Sequence, residues 1–272
     1  MNNFGLKPTA HDPRDYSYEL TFGAPALVLP DEYFAGRPKV LDQKLSQFCT
    51  AFAASVVASC EDGVDFEPSW LFAQEKAITG GPLDQGEDLR APMKAVVKCG
   101  LLPADKAMFS LENKDPLFLA DAKNWPFSDP LAAAPYKKQG YFRVDGDFYA
   151  VRNYLYLNRS YRRAISTGVL WYNEWTTAPG GIIPTTYSEV GGLHSVAILG
   201  FTKKDGVNYI VVQNSYGDGI GDHGLFYFPD SVFNREFTQP MYMQVDLPQD
   251  VKPQPIGNWL SILLYKIKRL FI

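Results

Sequence analysis

The segment from Phe48 to Cys60 restricts the possible folds more than any other part of this sequence. Its large apolar residues recur at helical spacing, and Ala and Ser occupy most of the remaining positions. A helix that is apolar or small on nearly every side offers no face to water and must be surrounded by protein. Ser46 is expected to cap its N-terminus. The segment therefore predicts a helix at the centre of a folded lobe.

Two more helices are predicted in the first half of the chain. Pro68 to Thr79 begins with Pro-Ser and is rich in apolar residues, and Asp88 to Lys98 has helical spacing and stops at Gly100. Residues 110–135 are rich in Pro, Asp and Asn, and we interpret them as the crossing to a second lobe.

The second half favours strands. Residues 141–144 form a short strand candidate, and a helix is expected from about Asp147 to Ser166. Three further runs rich in β-branched and aromatic residues are predicted strands: 194–201, 208–213 and 224–228. A helical first half and a strand-rich second half predict an α+β fold of two lobes with a cleft between them.

Composition excludes several classes of protein. The chain has 272 residues and a net charge of −4, which gives no basic field for nucleic acid. No run of about eighteen apolar residues could span a bilayer. Residues 1–5 lack the pattern of a signal peptide, so we expect synthesis in a cytoplasm without secretion.

The three cysteines, Cys49, Cys60 and Cys99, do not form a disulfide framework, and no CxxC pair indicates a zinc site. A reducing compartment is the simpler interpretation, with a Cys60–Cys99 bridge left open. Neither a metal nor any other cofactor is expected. Asp218 and Asp222 suit a glycine-rich turn better than a metal site.

Cys49 has the setting of a nucleophile. It lies in the first turn of the buried helix, where unpaired N–H groups favour a thiolate. Gln43 lies just before this helix, and its side-chain amide could donate a hydrogen bond to a developing oxyanion together with the Cys49 N–H. The alternative for Cys49 alone is a small buried hydrophobic residue, the commonest role of a free cysteine.

A histidine and an amide complete the candidate site. His194 follows Gly191-Gly192-Leu193 at the start of a predicted strand, and Asn214 ends the neighbouring strand, where it could orient the imidazole. By itself Asn214 could equally be a turn residue. His11 and His223 are more simply explained as loop and turn residues.

In these residues the sequence resembles the papain-like (cathepsin-like) cysteine peptidases. The resemblance covers roughly residues 29–240 and rests on four stretches in order along the chain: Leu29-Pro30-Asp31, Gln43 to Phe52, Gly192 to Val196, and Asn214-Ser215-Tyr216-Gly217 with the glycines that follow. Because the four stretches occur together, catalysis by Cys49 outweighs the alternatives.

The resemblance implies a peptidase domain over residues 29–246, with a helical lobe at about 42–125 and an antiparallel, β-barrel-like lobe at about 130–246. It implies that Cys49 attacks the carbonyl of a polypeptide substrate, paired with His194 as an ion pair, and that Gln43 stabilises the oxyanion. Gly86 and Glu87 align loosely with the stretch that pairs with substrate backbone.

Three neighbours of the site depart from the family. Phe48 stands where a small residue is usual and is expected to narrow the approach to the thiol. Thr50 and Tyr216 both stand in place of tryptophan. Tyr216 is then expected to shield the hydrogen bond between the histidine and the asparagine.

The chain ends are expected to differ from those of the family. Residues 1–28 are predicted to be an extended arm without the helical pattern of an inhibitory pro-segment, so the protein either needs no inhibitor or is restrained by other means. We expect it to be made in its final form. A linker, 247–258, leads to a basic amphipathic tail, 259–272, which could dock a protein partner or a membrane surface, or pack on its own domain.

Three functions compete at this point. The first is a thiol peptidase, and by analogy alone it could be associated with a bacteriophage virion. The second is a structural or assembly subunit that keeps the peptidase fold as a scaffold. The third is acyl transfer, in which an amine replaces water.

Overall fold

The computed structural model describes residues 4–13, 15–19 and 27–246, and the linker and tail at 247–272 lie outside them. The helices of the described residues are α1 (Cys49–Asp62), α2 (Pro68–Thr79), α3 (Arg90–Lys98), α4 (Pro116–Ala120), α5 (Ser128–Ala133), α6 (Phe148–Leu157), α7 (Asn173–Thr176) and α8 (Asp230–Glu236). The strands are β1 (Tyr33–Phe34), β2 (Gly140–Val144), β3 (Ile165–Tyr172), β4 (Val190–Lys204), β5 (Val207–Gln213), β6 (Leu225–Pro229) and β7 (Met241–Val245).

Helix α1 confirms the predicted central helix, and every residue from Cys49 to Cys60 is buried. Its N-cap is Phe48, whose side chain makes no capping hydrogen bond. The expectation that Ser46 caps the helix is wrong, because the Ser46 hydroxyl donates instead to the Gln43 carbonyl at 2.7 Å. The helix ends at Gly63, whose φ of 68° is one that glycine adopts without strain.

Helices α2 and α3 begin at side-chain caps. Glu67 accepts the N–H of Ser69 at 2.9 Å, so α2 begins at the predicted residue. The Asp88 carboxylate accepts the N–H groups of Arg90 and Ala91 at 2.8 and 3.0 Å. Asp88 therefore caps α3 rather than belonging to it, and the helix begins two residues later than predicted.

Residues 110–135 do not simply cross between lobes, as the sequence suggested. They contain α4 and α5, and Leu119, Trp125 and Ala133 are buried in the same core as α1 and α2. The Trp125 indole N–H donates to the Leu119 carbonyl at 3.0 Å, which satisfies its polar group inside this core.

The seven described strands form one antiparallel sheet in the order β2-β7-β3-β4-β5-β6, with β1 added on β4. The predicted strands are confirmed, although β4 is longer than expected. The predicted helix at 147–166 stops at Leu157, because the chain reverses at Arg162, where φ is 54°, before β3 begins.

The side chains form two main cores. One is helical and includes Phe72, Met93 and Leu119, and the other lies on the sheet and includes Phe142 and Phe226. Helix α1 packs against β4 where the two cores meet. The α+β class of two lobes is confirmed, and no described helix is long and apolar enough to cross a membrane.

Candidate active site

Cys49 opens α1 and is fully buried. Its position in the first turn favours a negative charge. Burial nevertheless raises the pKa of the Cys49 thiol to about 12, and hydrogen bonds with the backbone of Ser195 and Gly5 offset only part of the rise. In this conformation the thiol is therefore protonated at neutral pH.

His194 lies on β4 and is hydrogen-bonded to Asn214, which follows β5. The distance from His194 Nε2 to Asn214 Oδ1 is 2.8 Å. The same Oδ1 accepts the N–H of Ser215 at 2.7 Å. Because this oxygen can only accept, Nε2 carries the proton, and Nδ1 is left as the basic nitrogen of the neutral ring.

The imidazole is enclosed by aromatic rings. Tyr216 stacks on it with ring centroids 4.8 Å apart, and Trp171 contacts it edge-on. Burial lowers the pKa of His194 to about 4, although the hydrogen bond to Asn214 works in the opposite direction. Nδ1 makes no hydrogen bond to any described residue. Burial therefore favours neutral imidazole and neutral thiol here over the ion pair that the resemblance implies.

Gln43 is held across the junction of the lobes. Its Oε1 accepts the hydroxyl of Ser215 at 2.6 Å, and its backbone N–H donates to the Ser215 carbonyl at 2.8 Å. Its Nε2 donates to the Ser46 carbonyl at 3.1 Å. Ser215 therefore contacts both Asn214 and Gln43, and fixes which end of the Gln43 amide is the donor. The sequence assigned Ser215 no role, although it lies inside the Asn214–Gly217 stretch.

Gly86 and Glu87 line the groove beside the thiol. The Glu87 carbonyl accepts the N–H of Lys7 at 3.0 Å, in a parallel β-bridge between Leu6 and Glu87. A Cβ at Gly86 would lie only 1.3 Å from the Gly5 carbonyl oxygen, so the close approach of the two backbones requires glycine.

The N-terminal arm fills this groove. Gly5 lies at Cys49, with no room for a side chain, because a Cβ would be 2.2 Å from the Gln47 carbonyl oxygen. The Phe4 ring meets the His194 ring edge-on at 5.9 Å. Leu6 is buried with the helical core. Part of the segment expected to be a simple extended arm thus covers both the thiol and the imidazole.

Polar contacts tie the arm to both lobes beyond the groove. The Asp15 carboxylate pairs with Arg90 at 2.7 Å and accepts the hydroxyl of Tyr242 at 2.8 Å. Thr9 accepts the Leu89 N–H at 2.9 Å and donates its own N–H to Gln239 at 3.1 Å. Leu89 and Arg90 lie at the start of α3 in the helical lobe, whereas Gln239 and Tyr242 lie at β7 in the sheet lobe. The arm therefore bridges the two lobes.

The residues on either side of Cys49 pack inwards. Phe48 stacks on Phe72 at 4.1 Å in the helical core. The Thr50 hydroxyl donates to the Glu75 carboxyl at 2.8 Å, and both side chains are fully buried. Burial raises the pKa of Glu75 well above its ordinary value. The sequence analysis did not identify this contact.

Groups that could hold a cation are already neutralised in the described residues. The three carboxylates of Glu61, Asp62 and Asp246 converge, but the Lys138 ammonium lies 2.7 to 3.1 Å from all three. Cys60 and Cys99 are both free, so the bridge left open by the sequence is not formed.

Residues 134–239 match the family described as papain family cysteine protease. This range holds His194, Asn214 and Tyr216, whereas Gln43 and Cys49 lie before it. Among curated proteins, the chain is 25% identical over 171 residues to cathepsin B-like CP1 of Giardia intestinalis, covering 61% of this chain and 45% of that protein. It is 33% identical over 63 residues to cathepsin B-like CP3 of the same organism, covering 23% of this chain and 21% of that protein. The chain therefore spans less than half the length of these relatives.

Solved structures share the fold. Xylellain, a cysteine protease from Xylella fastidiosa, aligns with a TM-score of 0.73 at 22% identity over 90% of this chain and 96% of that chain. The procathepsin B S9 of Trypanosoma congolense aligns with a TM-score of 0.66 at 13% identity over 90% of this chain and 87% of that chain. The predicted fold and the predicted resemblance are confirmed at this level.

Proposed function

We propose that this chain, which shares the fold of papain-like cysteine proteases and matches their family over residues 134–239, hydrolyses polypeptides with Cys49 as its nucleophile. The observation that carries the proposal is the hydrogen bond between His194 and Asn214, which leaves Nδ1 as the basic nitrogen of the imidazole. The imidazole and the Cys49 thiol both contact the N-terminal arm, at Phe4 and Gly5 respectively. Nδ1 would take the thiol proton once the groove opens, and the first turn of α1 would stabilise the thiolate.

The remaining steps follow from the same contacts. Gln43 Nε2 and the Cys49 N–H would donate hydrogen bonds to the oxyanion formed when the thiolate attacks a peptide carbonyl. The His194 imidazolium would then protonate the leaving amine, and water would hydrolyse the thioester with His194 as general base. No step requires a metal or a cofactor.

We propose further that the chain as described is latent. A leaving amine belongs to the residue after the scissile bond, and it must lie beside the imidazole that protonates it. In the arm the residue at His194 is Phe4, which precedes Gly5, while Leu6 follows on the other side of the thiol. The arm thus runs opposite to a productive substrate, so it would cover the site without being cleaved.

A full-length Gly5→Val variant tests both parts of this proposal. The added side chain collides with the Gln47 carbonyl and should expel the arm from the groove. Labelling of Cys49 by a thiol-directed epoxide should then rise at least about tenfold, since its rate follows the open fraction, and peptide hydrolysis should appear. Ala10→Val, on an exposed part of the arm, is the matched control.

Cys49→Ala in the Gly5→Val background should remove the hydrolysis. A Gly5→Val protein that is folded and labelled but cleaves no peptide would contradict the peptidase. Equal labelling of Gly5→Val and parent would contradict latency. If an added amine appears in the products by mass spectrometry, acyl transfer replaces hydrolysis.

The filled groove also favours a second candidate, a structural or assembly subunit that uses the fold as a scaffold. In that case the arm would be a permanent part of the domain, and Cys49→Ala would leave assembly and biological function intact. Association with a bacteriophage virion, synthesis without secretion, and docking by residues 259–272 stay predictions.

A further inference from the structure

Two consecutive glycines, Gly191 and Gly192, form the floor on which the Phe4 ring lies. A Cβ at Gly192 would come within 2.7 to 2.8 Å of Phe4 Cβ and of the ring atoms Cγ and Cδ2. A Cβ at Gly191 would lie 2.6 Å from Cζ and 3.0 Å from Cε2. The ring therefore extends along the backbone of β4 from one glycine to the next.

A left-handed backbone does not require these glycines. Neither has a positive φ, and both lie inside β4, although the pairing with β3 shifts register at Gly191. Glycine also weakens a strand, since it adds no side-chain packing. What the missing side chains provide is therefore the space that the phenyl ring occupies, together with the Asn173 side chain at Gly191. The ring also makes a T-shaped contact with the His194 ring.

We propose that the Gly191–Gly192 floor is a subsite for an aromatic side chain of the substrate, on the leaving-group side of the scissile bond. This inference rests on the proposed function. The floor lies at the end of the groove where His194 would protonate the leaving amine. Leu6 lies at the opposite end, beyond the thiol, where its side chain contacts Gly168. Phe4 occupies this subsite in the latent chain and so marks the kind of side chain that fits it.

The chemistry of the floor agrees with an aromatic occupant. Backbone without side chains leaves room for a flat ring, and the adjoining imidazole makes a T-shaped contact with it. The partly buried Phe4 packs against the core of the sheet, so the subsite is apolar on that side. A residue with a short side chain would leave this floor uncovered.

The test uses full-length Gly5→Val protein and internally quenched peptides that differ only in the residue after the scissile bond. The kcat/KM for Phe at this position should exceed that for Ala by about tenfold or more. Adding Gly192→Ala should bring this ratio to about one. Gly219→Ala is the matched control, because a Cβ there meets nothing within 4 Å and its φ is not positive. It should leave the ratio unchanged.

A second readout needs no turnover. In the latent parent, Gly192→Ala should displace Phe4 and raise the rate of Cys49 labelling, and Gly219→Ala should not. The subsite is refuted if Phe and Ala peptides are cleaved equally well, or if Gly192→Ala changes neither the ratio nor the labelling rate. Loss of all cleavage in Gly5→Val protein would contradict the proposed peptidase together with its subsite, whereas cleavage without a preference for Phe would contradict the subsite alone.

Discussion

The two lobes hold their parts of the site by different means. The helical lobe places Cys49 by backbone geometry, at the first turn of α1, and supports the groove wall with a buried ion pair between Lys76 and Glu87. The sheet lobe places His194 through a side-chain hydrogen bond to Asn214, whose Oδ1 also accepts the backbone N–H of Ser215. Changes to the Lys76–Glu87 pair should therefore appear in stability, whereas changes around His194 and Asn214 should appear in catalysis and in the pH dependence of stability.

The largest effect is expected in the helical lobe, from Lys76→Met. The Lys76 ammonium lies 2.6 Å from the Glu87 carboxylate, and the two side chains are 1% and 6% exposed. Removing one partner of a buried pair leaves an uncompensated charge, so the free energy of unfolding should fall by about 3–5 kcal/mol. Urea denaturation measures this. The double variant Lys76→Met/Glu87→Gln should recover most of the loss, and equal stability of parent and single variant would contradict the assignment.

The second prediction concerns pH and the sheet lobe. Burial lowers the pKa of His194 to about 4, whereas an exposed imidazole titrates near its ordinary value of about 6.5. The unfolded chain therefore binds a proton that the latent chain does not, so stability is complete above about pH 6.5 and falls as the pH decreases towards 4. The loss is on the order of 3 kcal/mol.

His194→Gln separates this contribution from those of other groups. The difference in unfolding free energy between parent and variant should shrink as the pH falls from 6.5 to 4. Burial raises the pKa of the Glu75 carboxyl, so its contribution to stability increases as the pH falls. This contribution is the same in parent and variant and cancels from the difference between them. A difference that does not change with pH would show that His194 titrates normally in the folded protein.

The smallest effect is expected where the two lobes meet, from Ser215→Ala. The Ser215 hydroxyl donates to Gln43 Oε1 at 2.6 Å and keeps the amide turned with Nε2 as donor. Losing this buried hydrogen bond should lower the unfolding free energy by about 1 kcal/mol. In Gly5→Val protein, kcat should also fall by roughly fivefold with little change in KM, because a Gln43 amide that is free to turn is a poorer donor to the oxyanion. Ser215→Thr, which keeps the hydroxyl, is the control, and a change confined to KM would contradict a role through Gln43.

Much of the fold could be predicted from local sequence. Helix α1 was recognisable because its faces are apolar or small throughout, and α2 because Pro68 marks its start. The failures have local physical causes as well. Asp88 was assigned to α3 although its carboxylate caps that helix, and residues 110–135 were interpreted as a crossing because their Pro and Asp residues conceal two short helices.

The candidate site was only partly predictable. Cys49, His194 and Asn214 were chosen by residue type and order. In the structure His194 is hydrogen-bonded to Asn214, and Cys49 lies against the backbone of Ser195, the residue after His194. Ser215 carried no signal of its own, since a serine beside an asparagine is common in turns. The segment from Phe4 to Leu6 gave none either, because its partners lie far along the chain at Gly86, Gly192 and His194.

By itself the sequence determined the chemistry that is available: one cysteine at a helix start, one histidine on a strand, and an asparagine positioned to orient it. Tertiary structure alone decided whether the thiol and the imidazole are accessible and whether they are charged. The arm's occupation of the groove depends on long-range contacts, among them the packing of Phe4 and Leu6 and the bonds of Asp15 with Arg90 and Tyr242. Burial sets both pKa values, and burial is a property of the assembled lobes rather than of any local segment.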